Sequence, residues 1–360
     1  MSCCETRWVD LVEVPPSTGE GTPGVERTLD RRTMLKSAAA LTAGMSALAG
    51  ASGRAQAAEK HVSLAFCGQL LCVIPYEVTR AAGLFKAEGM DVELVYSHGG
   101  SAAMQALVGG AVDYAGTAFD VALQAYAKGA PIRRFASTGR LPLFALATAP
   151  KRAQELTEVK SLQGRVVGIS GLGNADHALV LYLLRRAGAD PSKVEFATLG
   201  TNLSEALRLG QIDAGMVQEP ALTRVVAAGA RVLVNFMDSA DAERHLGGPY
   251  EFMGVSVREG ELEKRKDEMA ALSRALQKGL DRVQSAPIAE IVGALPRELL
   301  LGADMAELNQ VIDRYRRSLY PTQVRIDTAA CDRVAESLKI AGLIGADVQP
   351  EGVLDRAIAG

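Results

Sequence analysis

The chain has 360 residues, with 39 basic and 42 acidic side chains and a formal net charge of −3. Hydrophobic residues make up 48% and charged residues 22%, which excludes whole-chain disorder and, at this length, favours more than one domain. The charge balance offers no basic stripe for nucleic acid, and an aromatic content of 5% with one Trp (Trp8) argues against a sugar-stacking cleft.

Residues 1–57 read as an export leader. Asp30-Arg31-Arg32-Thr33-Met34-Leu35-Lys36 has the form of a twin-arginine signal, followed by an uncharged Ala- and Gly-rich stretch. Ala55-Gln56-Ala57 then supplies the small-x-small pattern of signal peptidase cleavage, so Ala58 is the expected new N-terminus and the periplasm the expected destination. The rest still carries −3 and keeps Cys67, Cys72 and Cys331. Chains on this route fold before export in a reducing compartment. Cys67 and Cys72 are therefore expected to be small buried hydrophobes, without an obligatory disulfide. No cysteine stands at the cleavage point to take a lipid anchor.

Two segments one hundred residues apart share a pattern. Ala106-Leu107-Val108-Gly109-Gly110-Ala111-Val112-Asp113 aligns with Ala206-Leu207-Arg208-Leu209-Gly210-Gln211-Ile212-Asp213, and Gly129-Ala130 with Gly229-Ala230. In each copy a helix closes on a glycine, a strand follows the aspartate, and a second helix ends at the next glycine. Upstream lie helices ending in Ala82-Gly83 and Ala187-Gly188, then strands at Val92–Tyr96 and Val194–Ala197. Alternating strands and helices imply a parallel sheet flanked by helices in each half. Apolar stripes at Met269, Leu272, Leu276, Leu280 and Val283, and at Leu308, Val311, Ile312, Tyr315 and Leu319, predict two C-terminal helices.

Several chemical motifs fail on inspection. Gly171-Leu172-Gly173-Asn174-Ala175-Asp176 follows the strand around Val166–Ile169, but Asp176 replaces the third glycine of a dinucleotide fingerprint. What survives is a Gly-rich turn opening a helix, whose free N–H groups suit a small anion. Leu172 likewise breaks the nucleophile elbow around Ser170, and the four histidines have no metal-ligand spacing, although His98 and His177 each follow a strand. The sequence thus predicts no catalysis, no metal and no cofactor.

Ala81-Ala82-Gly83-Leu84-Phe85-Lys86-Ala87-Glu88-Gly89-Met90-Asp91-Val92, Ser161-Leu162-Gln163-Gly164-Arg165-Val166-Val167-Gly168, Gly210-Gln211-Ile212-Asp213-Ala214-Gly215 and Glu219-Pro220 stand in this order. Together they resemble signatures of the solute-binding proteins of ABC importers in the nitrate, sulfonate, taurine and thiamine-precursor group. The resemblance covers roughly residues 60 to 260. It implies an α/β, two-lobed, periplasmic-binding-protein-like (type II) fold, each lobe a mainly parallel sheet flanked by helices. The first lobe would comprise residues 58–142 and 250–360, the second 143–249. The chain would cross near Leu143–Thr148, return near Phe252–Val257, and pack its later helices back on the first lobe. Ligands of such folds sit at the carboxyl ends of strands. The candidate ligand-binding residues are therefore Gly68, Gln69, Ser97, His98, Gly99, Thr117, Phe119, Thr138, Ser170, Asn174 and Glu219.

The implied function is capture of a small organic anion or zwitterion by a monomer that serves an ABC permease with its ATPase. Asp120 or Glu219 facing the cleft would instead favour an amine or aminopyrimidine. An enzyme reading, as a relative of a pyrimidine synthase, needs a cysteine-rich iron motif, and residues 143–249 contain no cysteine. A ligand-sensing regulator would need a DNA-reading helix-turn-helix, and the N-terminus is taken by the leader.

Overall fold

A computed structural model describes residues 59–300 and 303–358. The expected leader and its cleavage site lie outside the described residues. The chain builds two five-stranded sheets. Strands β1 (Lys60–Cys67), β2 (Met90–Ser97), β3 (Tyr114–Ala118) and β4 (Ile132–Ser137) enter the first, and β5 (Ala145–Thr148), β6 (Val166–Ile169), β7 (Glu195–Thr198), β8 (Ala214–Val217) and β9 (Val232–Asn235) form the second. β10 (Met253–Arg258) returns to the first, giving the orders β2-β1-β3-β10-β4 and β7-β6-β8-β5-β9.

In each sheet the first three strands run parallel and the fourth is antiparallel to both its neighbours. Those two antiparallel strands, β5 and β10, are the segments read from sequence as crossings. A chain that has just changed sheets arrives from the opposite end, so the first strand it lays down runs against the rest. Ala145, Leu146 and Ala147 are fully buried, as are Val255 and Val257, which marks both as central strands.

The two copies of the repeat fold alike. Gly110 and Gly210 have φ of 79° and 66°, and the next residue's N–H reaches back to the carbonyl of Ala106 or Ala206 at 2.9 Å in both. This left-handed closure satisfies carbonyls that the helix end would otherwise leave open. Asp113 and Asp213 then staple the adjacent strand. Asp113 Oδ2 accepts from the Ser63 amide at 2.9 Å and Asp213 Oδ2 from the Val166 amide at 3.0 Å. Arg265 holds the first aspartate and Arg152, at 2.7 Å, the second. The repeated aspartate is thus a fastener between neighbouring interior strands.

Pro75 sits inside the helix Leu70–Ala81 and cannot donate to the Leu71 carbonyl four residues earlier. The buried Tyr320 hydroxyl donates to that carbonyl at 2.7 Å, tying the C-terminal region to the first lobe. The long helix Leu262–Ser285 packs along the same helix. The later helices depart from expectation. Thr328–Ile340 packs against both Phe119–Ala127 of the first lobe and Ala175–Arg186 of the second. Met305–Leu319 likewise meets the second lobe, where Asn235 Nδ2 donates to Tyr315 Oη at 3.0 Å and Ser318 Oγ to the Met237 carbonyl at 2.8 Å. Their apolar faces cover the junction of the lobes rather than one lobe alone. Among the described residues no helix is long and apolar enough to cross a membrane.

Candidate functional site

The carboxyl ends of β1, β2 and β3 face those of β6 and β8 across the junction of the lobes. From β1, Gly68-Gln69 turns into the helix Leu70–Ala81, and the Gln69 side chain accepts a hydrogen bond from Gln218 at the end of β8. This turn carries a correction. Cys67 and Cys72 are buried as expected, but they are disulfide-bonded, with Cα atoms 6.4 Å apart. The tight strand-to-helix turn brings the two side chains within bonding reach, a constraint that spacing alone leaves open. Among the described residues Cys331 is the free cysteine, and it is buried.

From β2 the chain turns through Ser97, the exposed His98 and Gly99 (φ 110°) into the helix Gly100–Val108. That helix has no acidic residue in its first turn. Its Ser101 amide donates across the cleft to Asn174 Oδ1 at 3.1 Å, and a Cβ on Gly99 would lie 2.8 Å from Asn174 Nδ2. Beside it, Thr117 at the end of β3 packs its Cβ 3.9 Å from where Gly100 would carry one. Thr117 is fully buried, and its Oγ1 has no hydrogen-bond partner. A buried hydroxyl without a partner costs free energy unless something fills the place.

On the second lobe, Asn174 N-terminally flanks the helix Ala175–Arg186 without capping it through its side chain. Its Nδ2 donates to Ser170 Oγ at 3.0 Å, and Ser170 Oγ donates to Asp176 Oδ1 at 2.8 Å. The Gly-rich turn differs from the sequence expectation. Asp176 is fully buried at this helix start and takes the Ser170 amide, while the Gly173 amide goes to His177 Nδ1 at 3.3 Å. The chain's own carboxylate thus occupies the place expected for a ligand anion. Burial lifts the Asp176 carboxyl to about 6, opposed by hydrogen bonds from Ser170. The Gly99-Gly100-Ser101 turn of the first lobe also opens a helix after a strand, but with no acidic residue in the first turn, and its Ser101 amide is held by Asn174 Oδ1. A third cross-lobe bond runs from Gln124 Nε2 to the Gly173 carbonyl at 3.4 Å.

The remaining candidates have other partners. Thr138 Oγ1 shares a hydrogen bond with Tyr76 Oη at 3.0 Å, and Tyr76 lies under the β3 backbone at Gly116. Phe119 is fully buried beneath the Arg134 guanidinium, 5.4 Å from the ring centre. Glu219 Oε2 accepts from Thr223 N at 3.0 Å and Thr223 Oγ1 at 2.9 Å, bracing the start of the helix Ala221–Ala227 after a cis Glu219–Pro220 bond. Asp120 is fully buried and accepts from Tyr250 Oη at 2.6 Å; burial lifts its carboxyl to about 7. Sequence reading missed Gly100, Ser101 and Gln124, and placed Gln218 at a strand end without making it a candidate. The Gly-Gly-Ser turn directly after a strand was the available signal for the first two; nothing local marked Gln124. Among the described residues no group of three or more His, Cys, Asp or Glu is placed to hold a metal ion.

A solved structure from Bordetella bronchiseptica RB50 is 26% identical, with a TM-score of 0.76 over 84% of this chain and 96% of that one. The periplasmic aliphatic sulphonate binding protein SsuA of Escherichia coli is 18% identical, with a TM-score of 0.61 over 82% of this chain and 91% of its own. The periplasmic nitrate-binding protein NrtA of Synechocystis PCC 6803 is 14% identical, with a TM-score of 0.65 over 83% and 87%. No curated protein matches the chain. These likenesses establish the periplasmic binding protein fold. Residues 72–289, more than half the chain, match the family described as NMT1/THI5 like, and the chain belongs to that family.

Proposed function

We propose that this protein captures a small organic anion or zwitterion, of sulfonate, taurine, nitrate or carboxylate type, between its lobes and delivers it to an ABC permease with its ATPase. The observation that carries this reading is the buried, unpartnered Thr117 Oγ1 beside Gly100, at a helix start free of acidic residues. An oxyanion placed there receives N–H groups, a positive dipole end and a hydroxyl together. Lobe closure then removes water from these bonds and strengthens them. The carboxylates that would favour an amine are engaged elsewhere, Asp120 with Tyr250 and Glu219 with Thr223, which supports the anion over an aminopyrimidine.

The protein works as a monomer in the periplasm, reached by the twin-arginine route through Arg31-Arg32, and performs no catalysis. Isothermal titration with taurine, short alkanesulfonates, nitrate and short carboxylates, against an aminopyrimidine, tests the ligand class. Thr117→Val should weaken the anion that binds by about tenfold, the value of one lost hydrogen bond to a charged group. Binding of the aminopyrimidine alone, or unchanged anion affinity in Thr117→Val, overturns the reading. Periplasmic recovery of an Arg31→Lys, Arg32→Lys double variant would overturn the export route.

A further inference from the structure

Both segments that connect the lobes meet the C-terminal region around a second feature. The first connection leaves β4 through Thr138, Gly139 and Arg140. The Arg140 amide donates to the Leu319 carbonyl at 2.7 Å, and its carbonyl accepts from the Tyr250 amide, on the return connection, at 2.9 Å. One residue thus ties the outgoing segment, the return segment and the end of the helix Met305–Leu319. Beside it lies a cavity of about 230 Å³, lined among others by Ser137, Arg140, Glu251, Arg325 and Asp327.

The two guanidiniums and two carboxylates of this cavity are not paired with one another. Arg140 is half-buried, and its Nε is buried without a hydrogen-bond partner. Neither Arg140 nor the exposed Arg325 forms an ion pair among the described residues. Both carboxylates of the cavity are committed elsewhere. Glu251, buried with Arg134, stands 3.4 Å from that guanidinium and also takes the Ser137 hydroxyl. Asp327 Oδ1 caps the helix Thr328–Ile340 through the Ala330 amide at 3.1 Å. A guanidinium with a buried, unused N–H is a fork waiting for a planar or tetrahedral oxyanion, which it binds through paired N–H···O bonds.

We propose that this hinge cavity is a second, separate anion site, at which Arg140 and Arg325 bind a small oxyanion such as phosphate or a short carboxylate. The site does not depend on what the cleft binds. Its position on the connections means that an anion there crosslinks the first connection to the Pro321–Ala330 segment, and so biases lobe motion.

The test is titration of the full chain with inorganic phosphate at constant ionic strength, followed by calorimetry. Wild-type protein should bind phosphate saturably. Arg140→Gln should weaken that binding about tenfold and Arg325→Gln by a few-fold, as expected for losing charge-assisted hydrogen bonds at a half-buried and an exposed group. Thr117→Val, in the cleft, should leave it unchanged. Absence of saturable binding overturns the proposal. So does loss of phosphate binding in Thr117→Val with retention in Arg140→Gln, a result that places the phosphate in the cleft and leaves the cleft reading standing. Should Arg140→Gln fail to fold, the exposed Arg325→Gln carries the test, and unchanged phosphate affinity there overturns the site.

Discussion

Asn174 offers the sharpest test of how the two lobes are held together. Of its two side-chain hydrogen bonds, the one to Ser170 lies within its own lobe and survives opening, whereas the one from the Ser101 amide, at 3.1 Å, exists only while the lobes are closed. Asn174→Ala therefore removes one cross-lobe bond and nothing else that distinguishes the two states. In the open form the Ser101 N–H and the Asn174 oxygen both turn to water, so the net loss is that of an ordinary exchanged hydrogen bond, about 0.5–1.5 kcal/mol. That shifts the closed-to-open ratio roughly two- to thirteenfold toward open. The Gln218–Gln69 and Gln124–Gly173 bonds remain, so closure is weakened and not abolished. Single-molecule energy transfer between dyes at Val108→Cys and Leu209→Cys reads this ratio. Both positions are exposed and end the equivalent helices of the two repeats, Gly100–Val108 and Leu203–Leu209, while Cys331 is buried. Ligand affinity should fall by the same factor, because only the closed form encloses the ligand. Melting temperature should fall only slightly, through loss of the Ser170 bond, because the side chain caps no helix N–H. A melting temperature lowered by several degrees with an unchanged distance distribution would refute the latch and make Asn174 a structural residue.

Stability should rise as pH falls from about 7 toward about 4. Burial lifts Asp120 from its ordinary 3.8 to about 7 in the folded chain, so the native state takes up a proton across that window while the unfolded state does not. Asp176 and Glu251, raised by burial, act in the same sense, and Asp120→Asn should flatten the profile of urea midpoint against pH. An unflattened profile would place the proton uptake elsewhere. Tyr320→Phe should cost about 1–3 kcal/mol by leaving the Leu71 carbonyl without a donor, measured by chemical denaturation. Asp113→Ala should cost a similar amount through the loss of Ser63 and Arg265, with Asp213→Ala as its counterpart in the other repeat. The Cys67–Cys72 bond closes a short loop worth about 2 kcal/mol, so Cys67→Ser with Cys72→Ser should lower stability by that much; three free thiols in the denatured, unreduced chain from Ala58 onward would show that the bond does not form.

The sequence by itself determined the layered α/β character, the two halves and the glycine-closed helices, because these follow from short-range rules. An apolar period, a glycine in the left-handed region at Gly110 or Gly210 and a β-branched run act within a few residues, and their signals survive without the rest of the chain. It also named both faces of the candidate site through Thr117 and Asn174, since strand ends are readable wherever strands are. It did not reveal that Asp113 and Asp213 are fasteners between strands, since their partners Ser63 and Val166 lie 50 and 47 residues away. Nor did it separate the two Gly-rich turns. Only the tertiary structure showed that Asp176 folds back onto one helix start while the start at Gly100 has no carboxylate of its own and lends its Ser101 amide to Asn174. The disulfide, the Gln69–Gln218 contact and the helices that straddle both lobes belong to the same class. Each depends on where two distant pieces of backbone come to rest, a distance that no local pattern encodes and that packing of the whole core alone decides.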